Sequence, residues 1–291
     1  MVEENVGAAT RRVARLLAQS GVDTPERDAR LLVAAAIGGV PADLIVRPER
    51  IFAAAEAAQL DDYVGRRARR EPVSRILGVR DFYGRTFNIT PATLDPRPCS
   101  ETLIGAVLDI ADEGGGRDRP LRLIDIGTGS GCLAVTLLCE LPNAIALATD
   151  VSAEALVAAE RNAEANGVAG RISFAQRNTL LDVGGPFDIL ISNPPYIPAG
   201  EIRGLQAEVK DYDPRGALDG GIDGLDLYRE IAAGLESVVP RGWVVFEVGA
   251  GQARDVEQIL RTSSPQGATA HCRTWLDLGG HTRCVAMETQ L

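Results

Sequence analysis

Four residues past the middle of the chain, Asn193-Pro194-Pro195-Tyr196, are of types that could hold a planar –NH2 group. Two consecutive prolines fix the backbone and carry no N–H donor, so what they offer is carbonyl acceptors. A carbonyl and the Asn193 side-chain oxygen could together accept both hydrogens of an amide or amino nitrogen. The aromatic face of Tyr196 would pack on the same group. Such a grip answers a chemical difficulty: resonance draws the lone pair of an amide nitrogen into its carbonyl and leaves it a poor nucleophile. Holding both hydrogens aims the nitrogen at an electrophile, and acceptors around it stabilise the positive charge that develops there. On this reading Asn193, Pro194 and Tyr196 are the catalytic candidates, and the four residues Asn193, Pro194, Pro195 and Tyr196 hold the substrate. As a bare tetrapeptide the motif could also be a rigid loop, and its setting decides.

That setting includes a second constellation upstream. Leu123-Ile124-Asp125-Ile126 reads as a buried strand running into the turn Gly127-Thr128-Gly129-Ser130-Gly131, which opens a helix. Glycine lets the backbone turn tightly there and approach a ligand without a Cβ in the way. The next strand ends in Asp150, about twenty residues on, where a carboxylate can accept both hydroxyls of a ribose. Together they point to an adenosine-containing ligand. The glycine run is Gly-x-Gly-x-Gly rather than Gly-x-Gly-x-x-Gly, and no P-loop Lys-Ser/Thr pair follows it, Lys210 being the only lysine of the chain. S-adenosyl-L-methionine is therefore expected ahead of a dinucleotide, with a structural turn as the alternative. Asn178, just after the third strand, lies where an adenine-edge contact would be placed, with Thr179 as a rival and a plain loop asparagine as the other reading. Gly127 to Gly131, Asp150, Asn178 and Asn193 make up the expected cofactor site. The cofactor brings an activated methyl, so neither a metal nor a covalent enzyme nucleophile is expected.

The elements that must position these residues follow from apolar spacing. The first seventy or so residues read as helices: Val13, Leu16 and Leu17 recur at helical spacing, and Thr24-Pro25 looks like an N-cap with proline at the first helical position. An alanine-rich helix after Pro48 runs to the cluster Arg66, Arg67, Arg69, Arg70, read as a solvated helix end rather than a docking surface. From Ile76 short apolar and aromatic runs suggest a β-hairpin connector, Asp81 to Phe87, and hence a domain junction. Beyond a helix with Leu103, Ile104, Val107, Leu108 and Ile110, strands are expected at 121–126, 144–149, 172–175, 187–192 and 243–248, alternating with helices at 153–166 and 227–238. Such alternation means an α/β fold, a parallel sheet covered by helices on both faces. Residues 268–276 and 283–287 would close it as an antiparallel hairpin at the sheet edge. The boundaries expected are 1–75 for a small all-α N-terminal domain, 76–98 for the hairpin linker and 99–291 for the catalytic domain.

Composition narrows the class. The 291 residues are 45% hydrophobic and 24% charged, with a net charge of −10, which argues against a protein that tracks a phosphate backbone. The charge is uneven, +2 over residues 1–80 and −12 over the remainder. The acidic part would attract a basic partner and repel nucleic acid. No apolar run approaches the roughly 20 residues that span a bilayer, and Glu3 and Glu4 replace the basic flank of a secretory signal. A cytoplasmic protein away from membranes is expected. The five scattered cysteines fit a reduced setting, and His271-Cys272, His281 and Cys284, the one grouping to weigh for zinc, match no standard finger.

With these residues in view, the sequence resembles the peptide chain release factor N(5)-glutamine methyltransferases (HemK/PrmC) over nearly the whole chain. The resemblance rests on the glycine turn and the Asn-Pro-Pro-Tyr box, with Glu71 to Gly78, Asp95-Pro96-Arg97-Pro98, Glu101-Thr102-Leu103 and Ala217 to Leu225. It implies a helical domain that helps hold the release factor, a hairpin linker and a Rossmann-like class I methyltransferase domain. It also implies that the substrate is the glutamine of the Gly-Gly-Gln tripeptide; a monomer is expected. Arg97, Pro98 and Glu101 would line the approach to the site, or Arg97 and Glu101 would form a plain ion pair at the helix entry. Cys99 stands where these proteins usually have an acidic residue, and Asn178 where an acidic or aromatic one is common. Three other readings stay open at this point. An adenine-specific DNA methyltransferase would present the same –NH2 geometry once the base is flipped. A binding module could keep the fold without the activity, and a sister enzyme could act on a ribosomal-protein glutamine.

Overall fold

The computed structural model describes residues 4–177, 180, 183–263 and 270–290, and within them the chain forms two compact units. The first comprises the residues up to Gly78 together with Gln206–Tyr212. It is built from α1 (Val6–Gln19), α2 (Pro25–Ala36), α3 (Asp43–Val46), α4 (Ala54–Ala68) and α5 (Val73–Leu77). Val6, Ala9, Val13 and Leu17 fall on one stripe of α1, wholly buried, and join Ala29, Leu32 and Val33 of α2 in one core. Asn5 caps α1 by accepting from the Ala8 N–H at 2.9 Å. Pro25 does open α2, but the Thr24 hydroxyl makes no cap there and bonds Asp28 at 3.2 Å.

The arginine cluster corrects the expectation of a solvated helix end. Arg67 is 5% exposed. It donates to Asp28 at 2.7 Å and to Glu208, 141 residues further on, at 3.1 Å. Arg70 grips the same Glu208 at 2.6 and 2.8 Å, while Arg66 pairs with Glu71. Burial without a partner would cost an arginine several kcal/mol, so the carboxylates are what permit it.

The second unit begins with the hairpin β1 (Val79–Phe82) and β2 (Arg85–Asn88). Tyr83 and Gly84 between them both have positive φ, as a two-residue hairpin turn requires. There follow α6 (Glu101–Glu113), β3 (Arg122–Ile126), α7 (Cys132–Glu140), β4 (Ile145–Asp150), α8 (Ala153–Ala165), β5 (Ile172–Gln176) and β6 (Ile189–Ser192). The chain then visits the first unit through the short helix α9 (Ala207–Lys210). It returns for α10 (Asp226–Val238), β7 (Arg241–Glu247), α11 (Ala253–Ser263), β8 (Cys272–Leu276) and β9 (Thr282–Gln290).

The sheet order is β5-β4-β3-β6-β7-β9-β8, parallel except for β9, which runs against both of its neighbours. Successive residues of a strand face opposite sides. Leu123, Ile189, Ile191 and Val245 accordingly pack with α6 and α7, while Ile124, Ile126, Leu190, Val244 and Phe246 pack with α10 and α11. The closing hairpin lies at the edge, with β9 rather than β8 joined to the parallel strands. Cys284 is wholly buried in β9, and among the described residues no group of three or more His, Cys, Asp or Glu is arranged to hold a metal. Among those residues no helix is long and apolar enough to cross a membrane.

Candidate active site

From β3 the chain winds outward through β4 to β5, then crosses back to β6 on the other side of β3. The carboxyl ends of β3 and β6 therefore flank a switch point, where open α/β sheets bind ligands. The glycine turn follows β3 and Asn193 follows β6. A cavity of about 550 Å³ opens there, and its wall includes Gly127, Gly129, Asp150, Asn193, Pro195 and Gly220.

The glycine turn is needed for conformation more than for space. Gly127 and Gly129 have φ of +72° and +56°, and a Cβ on either would meet nothing within 4 Å. Thr128 and Ser130 also line the cavity, whereas Gly131 sits behind it against Ala159. The turn is braced from below. Its Thr128 hydroxyl donates to Asp125 at 2.7 Å, and the Gly129 N–H donates to Asp150 at 2.8 Å. The other Asp150 oxygen accepts the Ser152 N–H at 2.9 Å, so the carboxylate is fixed with lone pairs left for a ligand's hydroxyls. The wholly buried Asn162 ties the turn to the hairpin: it donates to the carbonyls of Ser130 and Asn88 and accepts the Asn88 N–H.

The cavity wall fits S-adenosyl-L-methionine. It carries Asp150, Asp219, Asp226 and Glu230 against Arg97 and Arg177, an acidic excess suited to a ligand that bears a sulfonium and an ammonium against one carboxylate. Ile126, Leu94 and Leu133 supply apolar surface. Asn178 and Thr179 lie outside the described residues.

Of the tetrapeptide, Asn193 and Pro195 reach the wall, Pro194 is buried, and Tyr196 is not part of the wall. The Tyr196 ring instead packs toward the core under α10. A Cβ on Gly249 would lie 2.9 Å from that ring, and the Gln252 amide donates to the Tyr196 carbonyl at 2.9 Å. Burial, with Glu247 nearby, pushes the phenol up to about 12, so it stays neutral. Tyr196 thus shapes the corner from behind. The Ala217 to Leu225 block folds over the same corner, with Ile197 N–H to Leu218 O at 3.1 Å and Gly220 N–H to Ile197 O at 2.9 Å.

Arg97 lines the cavity, but its ion-pair partner is Asp213, which corrects the Arg97–Glu101 alternative. Glu101 accepts the Tyr83 N–H at 2.9 Å and so braces the hairpin turn; it is not part of the wall.

Three residues of the site were not anticipated. Ser100 accepts from the Asn193 Nδ2 at 3.3 Å. Glu247, at the end of β7 and 1% exposed, is pushed up to about 7 by burial, against which Ser100, Arg283, Arg97 and Asn193 pull it down. Asp125 under the glycine turn is likewise raised to about 7, first by burial and then by Asp150, with the Thr128 hydroxyl opposing. A carboxylate inside an apolar strand is the signal that marks both, once strand register says where they point.

The sheet order, the switch-point cavity and the glycine turn with its acidic partner define a class I, S-adenosylmethionine-dependent methyltransferase. The solved catalytic domain of hMettl16 in complex with the MAT2A 3′UTR hairpin 6 has a similar fold, with a TM-score of 0.56, 19% identity, and 83% of this chain and 85% of that one covered. Residues 8–78 match the family described as PrmC N-terminal domain, and residues 116–207 the one described as Methyltransferase small domain. The chain is 42% identical to the release factor glutamine methyltransferase of Rhodospirillum rubrum, over 96% of this chain and 84% of that one. It is 41% identical to that of Bradyrhizobium diazoefficiens, over 90% of this chain and 88% of the other. The chain belongs to the release factor glutamine methyltransferase family.

Proposed function

We propose that the chain transfers a methyl group from S-adenosyl-L-methionine to the side-chain amide nitrogen of the glutamine in the Gly-Gly-Gln tripeptide of peptide chain release factors. The observation that carries this reading is the Asn193 amide. Its NH2 is turned inward to Ser100, which leaves Oδ1 as an acceptor at a cavity shared with the glycine turn. Oδ1 and a carbonyl of the proline pair hold the two hydrogens of the substrate carboxamide and leave the nitrogen aimed along one line. The cofactor supplies the methyl already activated on sulfur. Asp150 and Gly127 to Gly131 hold it, with Asn178 assigned to the adenine edge, and Arg97 borders the substrate's approach.

Residues 1–75 serve as the docking domain for the release factor, 76–98 as connector and 99–291 as the catalytic domain. The acidic balance of the larger part suits a protein substrate over DNA, and the Asp95-Pro96-Arg97-Pro98 block resembles the release-factor branch more than the ribosomal-protein one. The enzyme works as a cytoplasmic monomer without contacting nucleic acid. The test incubates the purified chain with labelled cofactor and, in separate arms, recombinant release factor, ribosomal protein and DNA, and locates the methyl by mass spectrometry. Label on the Gly-Gly-Gln glutamine is expected; label anywhere else overturns the assignment. Asn193→Ala should lower kcat by roughly 100- to 1,000-fold, as loss of a group aimed at transition-state charge does.

A further inference from the structure

Glu247 is a poor core residue. It carries a carboxyl that is 1% exposed, has one oxygen with no hydrogen-bond partner, and joins no ion pair among the described residues. The two arginines near enough to influence it, Arg97 and Arg283, pair with Asp213 and Asp277 instead. Its position is specific. The register of β6 on β7 pairs Ser192 with Phe246, so the next residues along, Asn193 and Glu247, stand side by side at the carboxyl ends.

We propose that Glu247 is a positioning residue for the methyl transfer: through the Ser100 hydroxyl it decides which way round the Asn193 amide sits, so that Oδ1 rather than Nδ2 meets the substrate –NH2. The inference rests on the reading above, in which Asn193 accepts from the substrate. Ser100 has one hydroxyl hydrogen. Its oxygen accepts from the Asn193 Nδ2; Glu247 stands beside it, with one oxygen facing the Cys99 thiol at 3.9 Å and the other unpartnered, and the Ser100 hydroxyl favours its ionised form. An ionised carboxylate only accepts, so it gives the chain Asn193 to Ser100 to Glu247 a single direction. A protonated carboxyl can donate to Ser100, whose hydrogen is then free for the Oδ1 of an inverted Asn193 amide. That inverted amide would present –NH2 to –NH2, two donors with no bond between them.

Other charged or ionisable groups face Glu247 from every side: Arg97 and Cys99 precede α6, Cys132 lies on α7, Tyr196 follows β6, Tyr228 lies on α10, and Arg283 and Cys284 lie on β9. Burial raises the three thiols and both phenols, away from neutrality. Asp125, also raised to about 7, bonds Thr128 under the glycine turn, so it is the loss of the pH dependence in Glu247→Gln that assigns it to Glu247.

The test measures steady-state methylation of recombinant release factor by the full chain, between about pH 6 and pH 8.5, for wild type, Glu247→Gln, Ser100→Ala and the double variant. Each single variant should lose roughly 10- to 100-fold in kcat, the range for groups that orient a reacting side chain, with the KM for cofactor within about twofold. The double variant should match the worse single one, because the two act in one chain. Wild-type kcat should climb with pH, and Glu247→Gln should remove that climb. Losses that multiply, or a Glu247→Gln enzyme with wild-type kcat and pH profile, overturn the proposal. Asn193→Ala measured alongside separates the two readings. If it retains turnover, the amide-holding role has failed; if it loses turnover while Glu247→Gln does not, only the positioning role has failed. Should Glu247→Gln not fold, the wild-type Asn193 side-chain amide NMR signal, assigned by its loss in Asn193→Ala, decides. It should shift with a midpoint near neutral pH, and invariance overturns the proposal.

Discussion

In the helical unit Arg67 is buried against Asp28 and Glu208, whereas in the sheet unit Asp125 and Glu247 are buried more deeply and join no ion pair among the described residues. Opposite charges in contact compensate each other's desolvation and fix a geometry. Carboxyls without such a partner keep their protons to higher pH, and both of these stand behind cavity residues, Asp125 under Thr128 and Glu247 beside Asn193. The difference separates charge used to hold a fold from charge held ready beside a reaction site.

The comparison can be broken most easily from the paired side. Arg67→Ala leaves Asp28 buried without its cation and should cost about 3–5 kcal/mol of stability in denaturant unfolding of the full chain. A loss no larger than that of a surface substitution would remove the distinction. On the unpaired side, Asp125 has a folded pKa of about 7 against an ordinary 3.8, so the folded state binds the proton more tightly. Stability from this group is present below the ordinary value and is lost as pH rises through about 7, after which it is flat. Asp125→Asn should flatten that slope, a difference on the order of a few kcal/mol between pH 4 and pH 8, read from denaturant midpoints. Gly129→Ala should cost about 1–2 kcal/mol through its left-handed backbone alone, since space is open around it, and should weaken cofactor binding in calorimetry. Smallest of all, Arg117→Ala removes an exposed pair with Asp112 and should leave the denaturation midpoint unmoved.

Much of the fold could be read along the chain because buried parallel strands are continuous apolar runs. Observed β3, β4, β5 and β7 lie within two residues of the expected bounds, and α8 and α10 within one. The helix Ala253–Ser263 was not foreseen: only Val256 and Leu260 of it are fully buried, and it follows directly on the glycines 249 and 251. In the site, the glycine turn, Asp150 and Asn193 were legible because local chemistry defines them. Ser100, Glu247 and Asp213 were not, because each acts on a residue 93 to 116 positions away or on the neighbouring strand, and only register and burial reveal such pairings. The arginine cluster misled for the same reason, its partner Glu208 lying on a segment that belongs by sequence to another unit.

That borrowed segment bears on biosynthesis. Helices α1 to α5 leave the ribosome early, but Arg67 is made 141 residues before the Glu208 that shares its charge. Until then the N-terminal unit is a nascent structure with one strut missing, and it reaches its final form only when most of the sheet has also been translated. For the same reason, a gene truncated after codon 78 would encode a helical fragment without its last piece.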